Sequence, residues 1–225
     1  MHSILESGFR PDLVEAQRGV LANAARAGAW WTGEERLAMA AEVRRARDHA
    51  DLPPWEAPST AGLVADDHVL PAAAVDAVWR ITNHPGSLTA AWYHGIVAGL
   101  PSPEHYVELV AVVAPVSSID AFARVMGLDP IPLPDPVSGA PSSRTIEGAE
   151  VTTHWVPTAP IGGANVMKAL SIVPDERPAF DALLAAQYLP PEALLGDLDW
   201  SRPTMDRRQI ELVATQTSLV NECFY

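Results

Sequence analysis

SPEHYVELVAVVAPVSSIDAFARV, residues 102–125, is the stretch that decides the fold. Ser102 is a good helix cap, Pro103 fits the first helical position and Glu104 puts an acid in the first turn, so a helix begins here. The run from Tyr106 to Val125 is almost wholly apolar, which suits a buried central helix. Pro115 lies inside that run and should kink or divide it. Nowhere does the chain approach the roughly 18 uninterrupted apolar residues of a membrane span.

Outward from this stretch the chain reads as helices separated by proline-rich turns. Thr32-Gly33-Glu34-Glu35 is a capping box, with the helix it starts running through Leu37, Met39, Ala40 and Val43 towards about Ala50, where Pro53 and Pro54 stop it. Arg44, Arg45, Arg47 and His49 suit the cation-favouring end of that helix. A short helix is predicted from Pro71 through Val75, Val78 and Trp79 to the turn at His84-Pro85-Gly86, and another over residues 88–98. Residues 128–160 carry seven prolines and read as an extended surface connector, with 147–156 a candidate short strand pair. Helices resume over about 165–172, 179–188 and from Asp206, which with Gln209 makes a second capping box. The expected class is all-α: a helical half over 1–127, a connector over 128–164 and a second helical half over 165–225.

The chain has 225 residues, 48% hydrophobic and 19% charged, enough apolar surface for a real core and far from the composition of a disordered chain. The formal net charge of -13 repels phosphate backbones, so nucleic acid and anionic membrane are poor partners. The first 17 residues carry Glu6, Asp12 and Glu15 and lack the basic-then-apolar order of a signal peptide, so the expected compartment is the cytoplasm. Cys223 is the single cysteine, which excludes an internal disulfide and a cysteine-rich zinc site.

Glu-Leu-Val-Ala occurs twice, at 108–111 and 211–214, each time opening an apolar helix. Twelve residues beyond the two glutamates stand Asp120 and Cys223. The match is either coincidence in an Ala/Val/Leu-rich chain or the trace of a duplicated helical unit. On the second reading Glu108 is the counterpart of Glu211, a buried acid paired with an arginine.

Residues 206–220 form an amphipathic helix, with Ile210, Val213, Thr217 and Val220 on one face. Asn221 caps a further helix that places Cys223 in its first turn. A free thiol has a pKa of about 8.5, and a helix N-terminus lowers it to roughly 3.5–7.5. Glu211 on the preceding helix is a candidate proton acceptor.

Glu211, eleven residues ending in Asn221-Glu222, then Cys223-Phe224-Tyr225 resembles the alkylhydroperoxidase D-like / carboxymuconolactone decarboxylase-like superfamily, whose signature is Glu-x11-Cys-x-x-Cys-x-x-x-His. Glu211, Cys223 and the aromatic Tyr225 match. The segments around Glu108 and over 30–36 resemble the amino-terminal part of peroxidase-related members. The resemblance implies an all-α protein that forms homo-oligomers. It also implies a redox pair that reduces small hydroperoxides at the expense of a thiol or dithiol, needing no cofactor or metal, with Glu211 relaying a proton. The second sulfur belongs at position 226 and the histidine at 230. Because some members carry selenocysteine, position 226 is expected to be selenocysteine in the natural product, attacking the peroxide while Cys223 resolves it. A 225-residue form should be a poor peroxidase, since the terminal carboxylate and Glu222 oppose thiolate formation. The same fold also supports lactone decarboxylation, or a non-catalytic helical oligomer.

Other motifs carry less. His105 and Glu108 share a helical face with Glu104 one turn back, but no second His/Glu pair completes a metal site. Gly162-Gly163 lacks the lysine and strand of a phosphate loop and reads as a turn. Seven tryptophans, at 30, 31, 55, 79, 92, 155 and 200, show no helical repeat and are expected in the core and at subunit contacts.

Overall fold

A computed structural model describes residues 3–6, 8–50, 60–62, 67–163, 165–196 and 199–220. Its regular elements are helices: α1 (Pro11–Ala24), α2 (Gly33–Arg47), α3 (Ala72–Asn83), α4 (Ala90–Ala98), α5 (Pro103–Val125), α6 (Asn165–Lys168), α7 (Arg177–Gln187), α8 (Pro191–Leu195) and α9 (Arg207–Val220). Among the described residues no strand forms. The expected pair near 147–156 reduces to one antiparallel bridge, Glu150 with Thr158, whose amides and carbonyls bond reciprocally at 3.1 and 2.9 Å.

Local chemistry accounts for the boundaries. At α2 the Thr32 hydroxyl accepts from the Glu35 amide at 3.3 Å and the Glu35 carboxylate accepts from the Thr32 amide at 2.8 Å, so the predicted box is formed. The box at α9 forms likewise, between Asp206 and Gln209. At α5 Ser102 turns its hydroxyl to His105 Nδ1, 3.0 Å away, rather than to the backbone. Pro115 lies buried within α5 without dividing it.

α2, α3 and α5 pack on one another, and α1 packs along α7 and on α5. Met39, Ala40 and Val43 from α2, Val75 and Val78 from α3, and Leu109, Val113 and Val116 from α5 have no exposed surface. Burying each of the larger ones contributes about 1.5–3 kcal/mol. By length and composition α5 is apolar enough to cross a bilayer, but its apolar window is mostly buried against these neighbours. Leu183 and Ala186 of α7 enter the same core as Val20 and Leu21 of α1.

The proline-rich connector crosses the α1–α2 loop and is pinned to it. The amides of Val137, Ser142 and Ser143 donate to the carbonyls of Ala25, Gly28 and Ala29 at 2.8, 3.1 and 2.8 Å. That loop is therefore held on both sides, by α5 beneath and by the connector above, and its amides are aimed at one acid of α5.

Candidate functional site

That acid is Glu108. On the apolar face of α2, one turn before Ala40, stands Arg36; on α5 stands Glu108; and the 3-10 turn Pro174–Glu176 delivers Glu176. Their side chains are 1%, 0% and 4% exposed. Arg36 Nη1 donates to Glu108 Oε1 at 2.9 Å and to Glu176 Oε1 at 2.6 Å. Arg36 Nη2 donates to Glu176 Oε2 at 2.7 Å and to the Asn23 carbonyl at 3.3 Å. Asn23 Nδ2 reaches Glu176 Oε2 at 2.7 Å, and the amides of Trp30 and Trp31 reach the two oxygens of Glu108 at 2.8 and 3.3 Å. Four elements are cross-linked through one guanidinium.

The hydrogen-bond partners of the two carboxylates are donors, yet two carboxylates and one guanidinium leave the centre a net charge of -1 out of water. Burial pushes the Glu108 carboxyl above the usual carboxylate range and the charge of Glu176 adds to this, against the pull of Arg36 and the Trp30 amide. Burial alone would lower Arg36; the bonds and charges of Glu176 and Glu108 outweigh it and hold the guanidinium above its ordinary value. A cavity of about 10 Å³ touches Arg36, Glu176 and Asn23, about the room of one water molecule. Gly28 passes so close that a Cβ there would collide with Arg36 Nη1 and Glu108 Oε1. The centre is closed to substrates and structural in character. The sequence-predicted pairing of Glu108 with an arginine is present; that the arginine is Arg36, and that Glu176 and Asn23 share it, was not anticipated.

Glu211 has a different setting. Arg202 donates to the carbonyls of Ala185, Ala186 and Tyr188 at 2.6, 3.1 and 2.9 Å, tying off the end of α7 and fixing Tyr188. The Tyr188 hydroxyl donates to Glu211 Oε2 at 2.8 Å, and Arg207 Nε donates to Oε1 at 2.6 Å. Burial, with the bond to Glu211, pushes the Tyr188 phenol up to about 12. The Glu211 side chain remains 41% exposed. Beside it a groove of about 420 Å³ runs between α7 and α9, floored by Met205, Ile210 and Val213 and edged by Tyr188, Gln187 and Arg202. Such a groove takes a small, largely apolar molecule with a polar end.

The two Glu-Leu-Val-Ala segments thus diverge in environment: Leu109 has no exposed surface while Leu212 is 62% exposed. Cys223 lies outside the described residues, as do Asn221, Glu222, Tyr225 and Trp55. His105 is held by Ser102 and flanked by the Trp30 and Trp31 rings, and Glu108 is committed to Arg36, so the two do not converge on a metal position. Among the described residues no group of three or more His, Cys, Asp and Glu is placed to hold a metal ion. Trp31 and Trp79 are buried, whereas Trp155 is partly exposed. A further buried acid, Glu42, accepts from Trp79 Nε1 at 2.7 Å and from Arg45 at 3.4 Å. No protein-family model, curated protein or solved structure matches the chain.

Proposed function

We propose that this is an alkylhydroperoxidase D-like protein that reduces small hydroperoxides with thiols, Cys223 carrying the redox sulfur and Glu211 taking its proton. The observation that supports the reading is the setting of Glu211. Its carboxylate is oriented by two short bonds yet partly open to solvent, and one of those bonds comes from Tyr188, which lines an apolar groove. A proton acceptor needs that combination of fixed geometry and access.

The chemistry balances as follows. The Cys223 thiol gives its proton to Glu211, and the thiolate attacks one peroxide oxygen. An S–O bond forms, the O–O bond breaks, and the departing alkoxide takes the proton from Glu211 to leave as alcohol. The sulfur is now a sulfenic acid, oxidised by two electrons. An external thiol condenses with it, releasing water and forming a disulfide, and a second thiol exchanges to restore Cys223. With a chalcogen at position 226, that atom attacks and Cys223 resolves it in place of the external thiol.

A second reading, a non-catalytic helical binding protein, draws on α9, where Leu212, Val213, Leu219 and Val220 are exposed. The same face would serve a homo-oligomer of the enzyme. One experiment separates the readings: the alkylation rate of Cys223 against pH, with single-turnover loss of its thiol on adding one equivalent of cumene hydroperoxide. For the 225-residue chain the enzyme requires stoichiometric oxidation of the thiol, slow because the neighbouring carboxylates oppose the thiolate, with Glu211→Gln slowing that oxidation about 100-fold. A thiol that titrates near the free value and ignores peroxide overturns the proposal and leaves the binding protein.

A further inference from the structure

The C-terminal ends of α2 and α5 converge on a cavity of about 520 Å³ whose charged lining is Arg44, Arg47, Arg124, Asp48, Asp120 and Asp129. Equal numbers of the two signs do not mean equal pairing. Arg44 is closed off: its Nε and Nη2 meet the two oxygens of Asp120 at 2.8 and 3.1 Å, and Nη2 also donates to the Ile131 carbonyl at 2.8 Å. Asp120 is thereby spent as well. Among the described residues Arg47 and Arg124 form no side-chain hydrogen bond or ion pair, whereas Asp129 is engaged in an interaction of its own.

Arg47 is half-buried, and burial together with the charge of Arg124 pushes it below its ordinary value, against the pull of Asp120. A guanidinium stays protonated throughout, so the repulsion is carried rather than relieved by losing a proton. Nor are these donors needed as helix caps. The Asp48 amide already serves the carbonyls of Arg44 and Arg45, and the amides of Met126, Gly127 and Leu128 serve those of Phe122, Arg124 and Ala123. Gly127, with φ of 68°, makes that last turn possible.

We propose that this cavity binds a phosphate dianion, free or as the monoester of a small organic group, with Arg47 and Arg124 as its two guanidinium ligands. Two forks approaching from different helices need acceptor edges in more than one direction. A tetrahedral phosphate offers these, whereas a carboxylate fills one fork. Two positive charges also match a dianion. Inorganic phosphate would leave most of the volume empty, and the remaining wall of Ala121, Leu128 and Pro130 suits an apolar ester group. Asp48 and the carbonyl ends of both helices oppose any anion and keep the affinity modest. The site lies on helix ends other than those that carry Glu211, and it does not depend on the thiol chemistry.

Isothermal titration of the 225-residue chain with inorganic phosphate, phenyl phosphate and succinate, at ionic strength held constant with chloride, tests it. Phosphate should bind, and Arg47→Gln and Arg124→Gln should each weaken it at least tenfold. Arg208→Gln, an exposed arginine on α9 outside the cavity, should bind as the parent does. Tighter binding of phenyl phosphate identifies a monoester site; equal binding identifies a free-phosphate site. Arg124 is exposed, so its variant keeps the fold and decides the matter alone if the Arg47 variant does not fold. No phosphate binding beyond that of chloride, unchanged affinity in Arg124→Gln, or succinate bound in preference to phosphate overturns the proposal.

Discussion

Replacing Arg36 by Met removes the one cation from a centre that holds two carboxylates. Arg36 makes three bonds to those carboxylates, at 2.9, 2.6 and 2.7 Å, and its loss leaves Glu108 and Glu176 buried with amide donors only. Breaking a buried pair in this way costs about 3–5 kcal/mol, a large share of a typical stability of about 5–15 kcal/mol. With a urea slope of about 3 kcal/mol/M for a chain of this size, the unfolding midpoint should fall by roughly 1–2 M. The deficit depends on pH. Burial already holds Glu108 above its unfolded value of about 4.3, so its contribution to stability declines as pH rises from there to the folded value. Without Arg36 to oppose burial, that decline extends to higher pH. Urea unfolding followed by circular dichroism should therefore show a larger deficit at pH 7 than at pH 5. Adding Glu176→Leu to Arg36→Met should cost less than the sum of the two, by about 0.5–3 kcal/mol. A deficit under about 1 kcal/mol, or one equal at both pH values, would refute the account of the centre as a mutually dependent ionic triad.

Gly28→Ala inserts a Cβ into the Arg36–Glu108 pair and should cost about 1–3 kcal/mol, a melting temperature lower by roughly 3–10 °C. Gly19→Ala, in the interior of α1 with open space around it, should be neutral or stabilising by up to about 1 kcal/mol. For Tyr188→Phe, the difference in ultraviolet titration between parent and variant should show a phenol ionising near 12 rather than about 10. Because the fold favours the neutral phenol, stability falls as pH rises from about 10 to about 12, and the variant should lose that dependence.

How much of this was legible in the sequence depended on whether a signal was local. The capping boxes at Thr32 and Asp206 and the start of α5 at Pro103 rest on side chains within one turn, and they appear where expected. α1 was absent from the expected helices although Leu13, Ala16, Val20, Leu21 and Ala24 keep a helical period; the polar Gln17 and the alanines dilute its stripe, and Gln17 is itself buried. The connector was expected as an extended segment, but nothing local tells that its amides at 137, 142 and 143 would cap the α1–α2 loop. Partners of the buried acid were harder still. Arg36 carries one visible mark, its place on the same face as Ala40 and Val43, where a charge must find a partner. Glu176 follows a proline in a short turn and carries none.

The repeated tetrapeptide shows what sequence alone withholds. Glu108 and Glu211 share their three following residues and each takes a guanidinium, Arg36 or Arg207, so local chemistry does not separate them. Tertiary burial does. Around Glu108 the loop amides, Gly28 and Arg36 leave no exposed surface, and the carboxylate can exchange a proton only at the expense of the fold. Around Glu211 only one flank is packed, through Ile210 and Tyr188, and the carboxylate keeps access to solvent. An acid of the first kind stabilises, and an acid of the second kind can transfer a proton repeatedly without unfolding anything. Glu211→Gln should therefore leave the urea midpoint within a few tenths of a molar of the parent, whereas changes at the Glu108 centre move it by about 1 M or more. Equal losses from both would mean that Glu211 too is part of the scaffold, and the case for it as proton acceptor would fail.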